Sequence, residues 1–159
     1  MFIPYWILAI IISILVLLSF FLFKWRKYRR IASFRGRLLS QVNIARKRKK
    51  LQPIGRVIFL DKVAVRHSKS IARRKSCDHL GFSERVSLIK NKTGLSYVGE
   101  NCYMFPAKKY NTRVARELLH GWLRSHGHRA NLLNPTYKRT GIGIIGRRSY
   151  VYATQIFTD

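Results

Sequence analysis

The chain has 159 residues, room for one domain plus an appendage, and sets 32 Lys and Arg against 6 Asp and Glu, a formal charge of +26. A field of that sign attracts anionic lipid, nucleic acid or anionic wall polymer about equally well, so charge alone names no partner. Two cysteines, Cys77 and Cys102, exclude a disulfide framework and match no zinc-knuckle spacing; they are either a pair for an oxidising compartment or two small buried hydrophobes. The scarcity of acids makes each of Asp61, Asp78, Glu84, Glu100, Glu117 and Asp159 a residue to account for.

Residues 1–23 carry no charged side chain, and from Pro4 to Phe23 nearly every residue is apolar. At about 1.5 Å per residue such a run matches a bilayer core of about 30 Å, which predicts a transmembrane anchor over 1–23. No basic n-region and no Ala-x-Ala pattern mark a cleavable signal peptide. Tyr5, Trp6, Trp25 and Tyr28 stand where an interfacial belt belongs. Lys24-Trp-Arg-Lys-Tyr-Arg-Arg30 then suits anionic head groups, and by the positive-inside rule marks a cytoplasmic flank. Residues 24–40 read as a basic juxtamembrane linker and 41–159 as the folded domain.

Leu38 to Lys50 predicts a helix ending in Arg46-Lys-Arg-Lys-Lys50, either a solvated end favourable against the helix dipole or a nucleic-acid-type basic motif. Pro53 marks the break. Val57 to Arg74 has the apolar spacing of a helix with one buried face, His67 sitting in it as a structural residue. Cys77 to Phe82 reads as a loop turning at Gly81, Glu84-Arg85 as the start of a short helix to Leu88, and Gly94 to Glu100 as irregular. Cys102 to Phe105 reads as a short extended segment. Asn111 or Thr112 caps a helix with Val114, Ala115, Leu118, Leu119 and Trp122 on one face.

Trp122-Leu-Arg-Ser-His-Gly-His-Arg-Ala-Asn-Leu-Leu133 is the stretch around which the rest is organised. Gly127 weakens a helix there by about 1 kcal/mol relative to Ala, so the stretch reads as a helix end that turns and presents polar groups to a cleft. Gly141 to Gly146 and Tyr150 to Phe157 are two strands of a hairpin joined by Arg147-Arg148-Ser149.

The ordered set of Gly99-Glu100-Asn101, Trp122-x-x-Ser125-x-Gly127-His128-Arg129-x-Asn131-Leu132-Leu133, a Gly-x-Gly strand and Tyr-x-Thr-Gln-x-Phe resembles the CAP superfamily, also called SCP-like, in its prokaryotic branch. The likeness runs from about Gln41 to Phe157. It implies an α+β fold, an α-β-α sandwich with a central antiparallel sheet and an open cleft, preceded here by one transmembrane helix. In the family that cleft is lined by two His and two acidic residues, which hold a divalent metal in some members. His79 looks like the first His and Glu100 like the first acid. The second acid falls near Ser125 and the second His near Tyr152, so this chain departs from the tetrad at both, and His128 is in place to supply the missing imidazole.

The resemblance therefore gives His79, Glu100, Ser125, His128 and Tyr152 as ligand-binding candidates and His79 with His128 as metal candidates. Two imidazoles and a carboxylate suit a cation such as zinc with an open position; the same groups also suit a metal-free hydrogen-bond network, with Glu100 paired to His79. Arg129, Asn131, Asp78, and Glu84 with Arg85 read as structural. The expected function is a membrane-anchored binding module of the cell envelope, facing a lipid or wall-associated ligand. No Ser sits in a Gly-x-Ser-x-Gly elbow, so the enzyme alternative is a metal- or Glu-assisted hydrolase in the same cleft. The other alternative is a cytoplasmic-facing basic domain gripping anionic lipid or nucleic acid. The basic flank argues for the inside; family habit argues for an extracytoplasmic domain, which is the expectation adopted.

Overall fold

The computed structural model describes residues 4–107 and 110–159. The chain divides into two compact units, one ending at Ser33 and the other running Phe34–Asp159. The first is helical from Tyr5 on. It belongs to α1 (Tyr5–Arg48), whose apolar N-terminal part is long enough to cross a membrane; a signal sequence passes the same test. Two polar side chains in that part, Ser13 and Ser19, give their hydroxyl protons to the carbonyls of Ala9 and Val16, which suits an apolar surround.

The second unit contains the rest of α1, then β1 (Gly55–Arg56), α2 (Ile58–Arg74), α3 (Phe82–Thr93), β2 (Val98–Pro106), α4 (Thr112–Arg124), α5 (His126–Leu132), β3 (Arg139–Arg147) and β4 (Tyr150–Thr158). The sheet order is β1-β3-β4-β2, antiparallel except for the two-residue β1, which runs parallel to β3. Alternation along the strands decides the layers. Ile142, Ile144, Val151, Ala153 and Phe157 pack with Trp122, Leu118 and Phe34 on one face. Ile156 meets Leu60, Val63 and Ala64 of α2 on the other. The result is an α-β-α sandwich of mixed helix and sheet, as expected.

Local expectations changed in three places. Residues 24–40 are helix rather than linker, and Phe34, Leu38 and Val42, four apart, bury one face of α1 in the main core. Arg46 is no solvated helix end. It is 1 % exposed, and its guanidinium donates to the carbonyls of Gln52, Leu132, Asn134 and Tyr137 at 2.8–3.2 Å, stitching α1 to the turns around it. The helix break in the organising stretch falls at Ser125, which closes α4 and caps α5, while Gly127 lies inside α5.

Other boundaries extend the sequence reading. α3 runs five residues past Leu88, and the segment read as irregular before Glu100 is already β2 from Val98. Gly81 takes φ +72° at the loop before α3, the turn the sequence marks. Asn111 caps α4 by accepting the Val114 N–H at 2.9 Å.

Candidate functional site

β2 is an edge strand, so side chains from both helical layers can meet beside it. Glu100 is the centre. Its carboxylate is 1 % exposed and accepts two hydrogen bonds from the Arg85 fork, Nε at 2.7 Å and Nη2 at 2.6 Å. His79 Nδ1 donates to Oε1 at 2.8 Å, and His67 Nε2 lies 3.5 Å from the same oxygen. His67 Nε2 also meets the Asp78 carbonyl at 2.8 Å; a carbonyl only accepts, so this nitrogen carries the proton. Burial lowers the His67 pKa, the nearby Glu100 charge opposing it and the Arg85 charge adding to it.

The loop after α2 is held by Asp78. Arg74 Nη2 donates to it at 2.6 Å, Ser76 Oγ at 2.6 Å and the Leu80 N–H at 3.1 Å, which together keep its carboxyl far below the usual range. The loop so fixed presents His79 with its side chain 47 % exposed, at the edge of an open groove of about 790 Å³ that Leu80, Phe82 and Val86 also line. Cys77 of this loop and Cys102 of β2 are free thiols with their Sγ atoms 3.0 Å apart. Their shared contact lowers the Cys77 thiol, and the same contact, with burial, raises that of Cys102.

α5 approaches from the other layer. Asn101 Nδ2 donates to the His128 carbonyl at 2.9 Å, and Asn131 Nδ2 donates to Asn101 Oδ1 at 2.9 Å and the Glu100 carbonyl at 3.2 Å. These amides seat His128 so that its ring centroid is 6.2 Å from that of His79. Burial, then the charge of His79, lowers the His128 pKa. Ser125 accepts the His128 N–H at 3.5 Å as a helix cap. Tyr152 is buried with Cys102, Ile71 and Ala72, and also lines a recess of about 410 Å³ with Lys75, Arg147 and Arg148.

Of the candidates read from the sequence, His79, Glu100 and His128 come together. Ser125 enters through its cap on His128, and Tyr152 stands beyond Cys102. The pairing of Glu100 with His79 is present. Arg85 pairs with Glu100, not with Glu84 as the sequence reading grouped it, because the α3 turn aims its fork at β2. Asn131 ties α5 to β2 while Arg129 is exposed. His67, Arg85 and Cys102 were missed as site residues. One signal for Cys102 exists in the sequence: it follows Glu100 by two, and alternate strand residues share a face.

The carboxylate is spent on Arg85 and His79, so it does not fit the role of metal ligand. A different set fits better: donor atoms of His79, Cys102 and His128 lie within 4.8 Å of one another.

A three-layer sandwich with a His- and Glu-bearing groove beside its edge strand is the architecture of the CAP, or SCP-like, proteins. Residues 39–157 match the model of the cysteine-rich secretory protein family, CAP, and the chain belongs to that family. It is 27 % identical over 119 residues to the uncharacterised protein YkwD of Bacillus subtilis (strain 168), covering 72 % of this chain and 44 % of that one. An extracellular protein containing a SCP domain from Bacillus anthracis is similar in structure, with TM-score 0.61, 29 % identity and coverage of 76 % of this chain and 38 % of that one. An outer surface protein of Borrelia burgdorferi shares the fold, with TM-score 0.68, 17 % identity, 80 % of this chain and 92 % of that chain. The chain spans less than half the length of the two Bacillus proteins.

Proposed function

We propose that the chain is a membrane-anchored CAP-domain protein of the cell envelope, a binding module that presents the His79–Glu100–His128 groove to a lipid or wall-associated ligand. The observation that carries this reading is the locked state of Glu100. Both its oxygens are engaged by Arg85 and one also by His79, so the carboxylate orients a half-exposed imidazole. A hydrolase needs a carboxylate free to take a proton, which this arrangement opposes. Lys75, Arg147 and Arg148 beside Met104, Tyr150 and Tyr152 give the second recess the mixed cationic and apolar character that suits an anionic amphiphile. The imidazoles of His79 and His128 are the groups offered to a divalent cation such as zinc.

Residues 1–23 serve as the anchor, with the domain outside. The extracellular description of the Bacillus anthracis relative supports that side, and the basic flank at 24–30 opposes it. Protease added to intact spheroplasts tests the reading. Digestion of the domain without lysis is the expected result. Protection until lysis would overturn the envelope assignment and favour a domain that grips anionic lipid or nucleic acid from within.

A further inference from the structure

The loop after α2 runs beside β2 and touches it twice. His79 Nδ1 donates to Glu100 Oε1 at 2.8 Å; two residues back along the loop and two on along the strand, the Cys77 and Cys102 Sγ atoms lie 3.0 Å apart. We propose that Cys77 and Cys102 are a disulfide pair, closed in an oxidising compartment, that pins the His79 loop to the edge strand and so fixes one wall of the groove. The inference takes its oxidant from the envelope location proposed above; its geometry does not depend on that location.

Closure asks little of the chain. A disulfide spans about 2.0 Å between sulfurs, so the two atoms must approach by about 1 Å, which rotation of the exposed Cys77 side chain supplies. Cys102 is 2 % exposed and seated among Ile71, Ala72 and Tyr152. An exposed thiol meets the oxidant and a buried neighbour resolves the adduct, the division that thiol–disulfide exchange requires. The oxidant is the disulfide of a thiol oxidoreductase. Cys77 Sγ attacks one donor sulfur as a thiolate, the donor S–S bond breaks, and its other sulfur leaves and takes up the proton that Cys77 gave up. Cys102 Sγ then attacks Cys77 Sγ, breaking the mixed disulfide, and the second donor sulfur leaves with the Cys102 proton. The pair loses two electrons and two protons, and the donor gains both as a dithiol.

The bond would close a ring between residues 25 apart in the chain, and that ring contains α3. Ile89 is the buried residue of α3, and Arg85 joins the helix to Glu100. An element held by so few groups gains from a cross-link, because ring closure removes freedom from the unfolded chain. The covalent tie would also lie next to the His79–Glu100 hydrogen bond, so the loop keeps its place when that bond opens. Cys102 is thereby withdrawn from the donor set it forms with His79 and His128, and the two imidazoles alone are left to the groove.

The full chain, purified in detergent under reductant and then equilibrated with a glutathione redox buffer, tests the pairing. After acid quenching and treatment with N-ethylmaleimide, the expected product is lighter than the reduced chain by two hydrogens and carries neither maleimide nor glutathione. Proteolysis should yield one peptide pair joined through Cys77 and Cys102. Maleimide on both thiols, or glutathione left on Cys77, would overturn the pairing whichever side of the membrane the domain occupies. Protease protection in spheroplasts, by contrast, overturns only the envelope reading. The pinning has its own readout. Oxidation should raise the thermal midpoint by about 10 °C and slow amide exchange in residues 76–81 several-fold. Cys77→Ser, which leaves the buried Cys102 in place, should show neither response to reductant while keeping the wild-type circular dichroism. A bond that forms with midpoint and exchange unchanged would overturn the pinning role, and so would a reductant response that persists in Cys77→Ser.

Discussion

At the scale of single residues, two buried basic side chains, Arg46 and His67, govern what the domain tolerates. Arg46 spends its fork on four backbone carbonyls rather than on a carboxylate, so its value lies in geometry. A lysine has the charge but not the planar fork. Arg46→Lys is expected to lower the stability of the domain by about 2–3 kcal/mol, since it strands buried carbonyls. An unchanged urea midpoint would show that water replaces the fork at no cost.

His67 gives the site a pH dependence whose sign follows from its depressed pKa. The unfolded chain binds a proton near pH 6.5, whereas the folded one does so only at lower pH. Stability is therefore fully present above about pH 6.5 and is lost as pH falls below it toward the folded value. The charged groups facing the ring are Glu100 from β2, Arg85 from α3 and Asp78 from the loop, and the burial effect exceeds the pull of the two acids. The urea midpoint should drop between pH 7.5 and pH 5, and drop less in His67→Gln. Parallel profiles for the two proteins would assign the loss to other groups.

Among the elements, α2 lies close against β3, and glycine makes the approach possible. A Cβ at Gly141 would meet the backbone of Leu60 and Asp61, and one at Gly143 the backbone of Ala64 and Val65. Backbone cannot step aside as a flexible side chain can, so Gly143→Ala must push the helix off the strand. The expected loss is about 3 kcal/mol or more, at the upper end of overpacking costs, read as a fall in the thermal midpoint. Because α2 carries His67, the same variant should also weaken any binding that depends on the groove. A midpoint within a degree of wild type would mean that the helix rides up freely.

This contact also marks a limit of sequence reading. Gly141-x-Gly143 was visible as part of a strand, but the reason for the glycines lies in α2, some eighty residues earlier. The α4 cap at Asn111 and the β3–β4 hairpin were legible because their causes are local: a side chain reaching three residues ahead, and a turn between two β-branched runs.

For the whole molecule, the boundary between helix and domain differs from the composition boundary. Charge and hydropathy change at residue 24, whereas the compact unit begins at Phe34 and draws Phe34, Leu38 and Val42 into its core. A fragment starting at Phe34 is expected to unfold as one cooperative transition in urea. One starting at Lys49 loses those three side chains and Arg46, and is expected to lack a cooperative transition. Equal midpoints for the two fragments would show that the C-terminal part of α1 is dispensable to the core.

The sequence by itself determined what depends on periodicity and on short motifs. These were the apolar N-terminal run, the helix faces of α2 and α4, the hairpin, and the residues of the CAP likeness, among them His79, Glu100 and His128. The tertiary structure decided the partnerships. Arg85 comes to Glu100 from α3 and His67 from α2, His128 of α5 comes to His79, and Cys102 lies beside these last two imidazoles at the sheet edge. Such encounters depend on the rotation of each helix against the sheet. No local pattern encodes that angle, because it is set by packing between segments far apart in the chain.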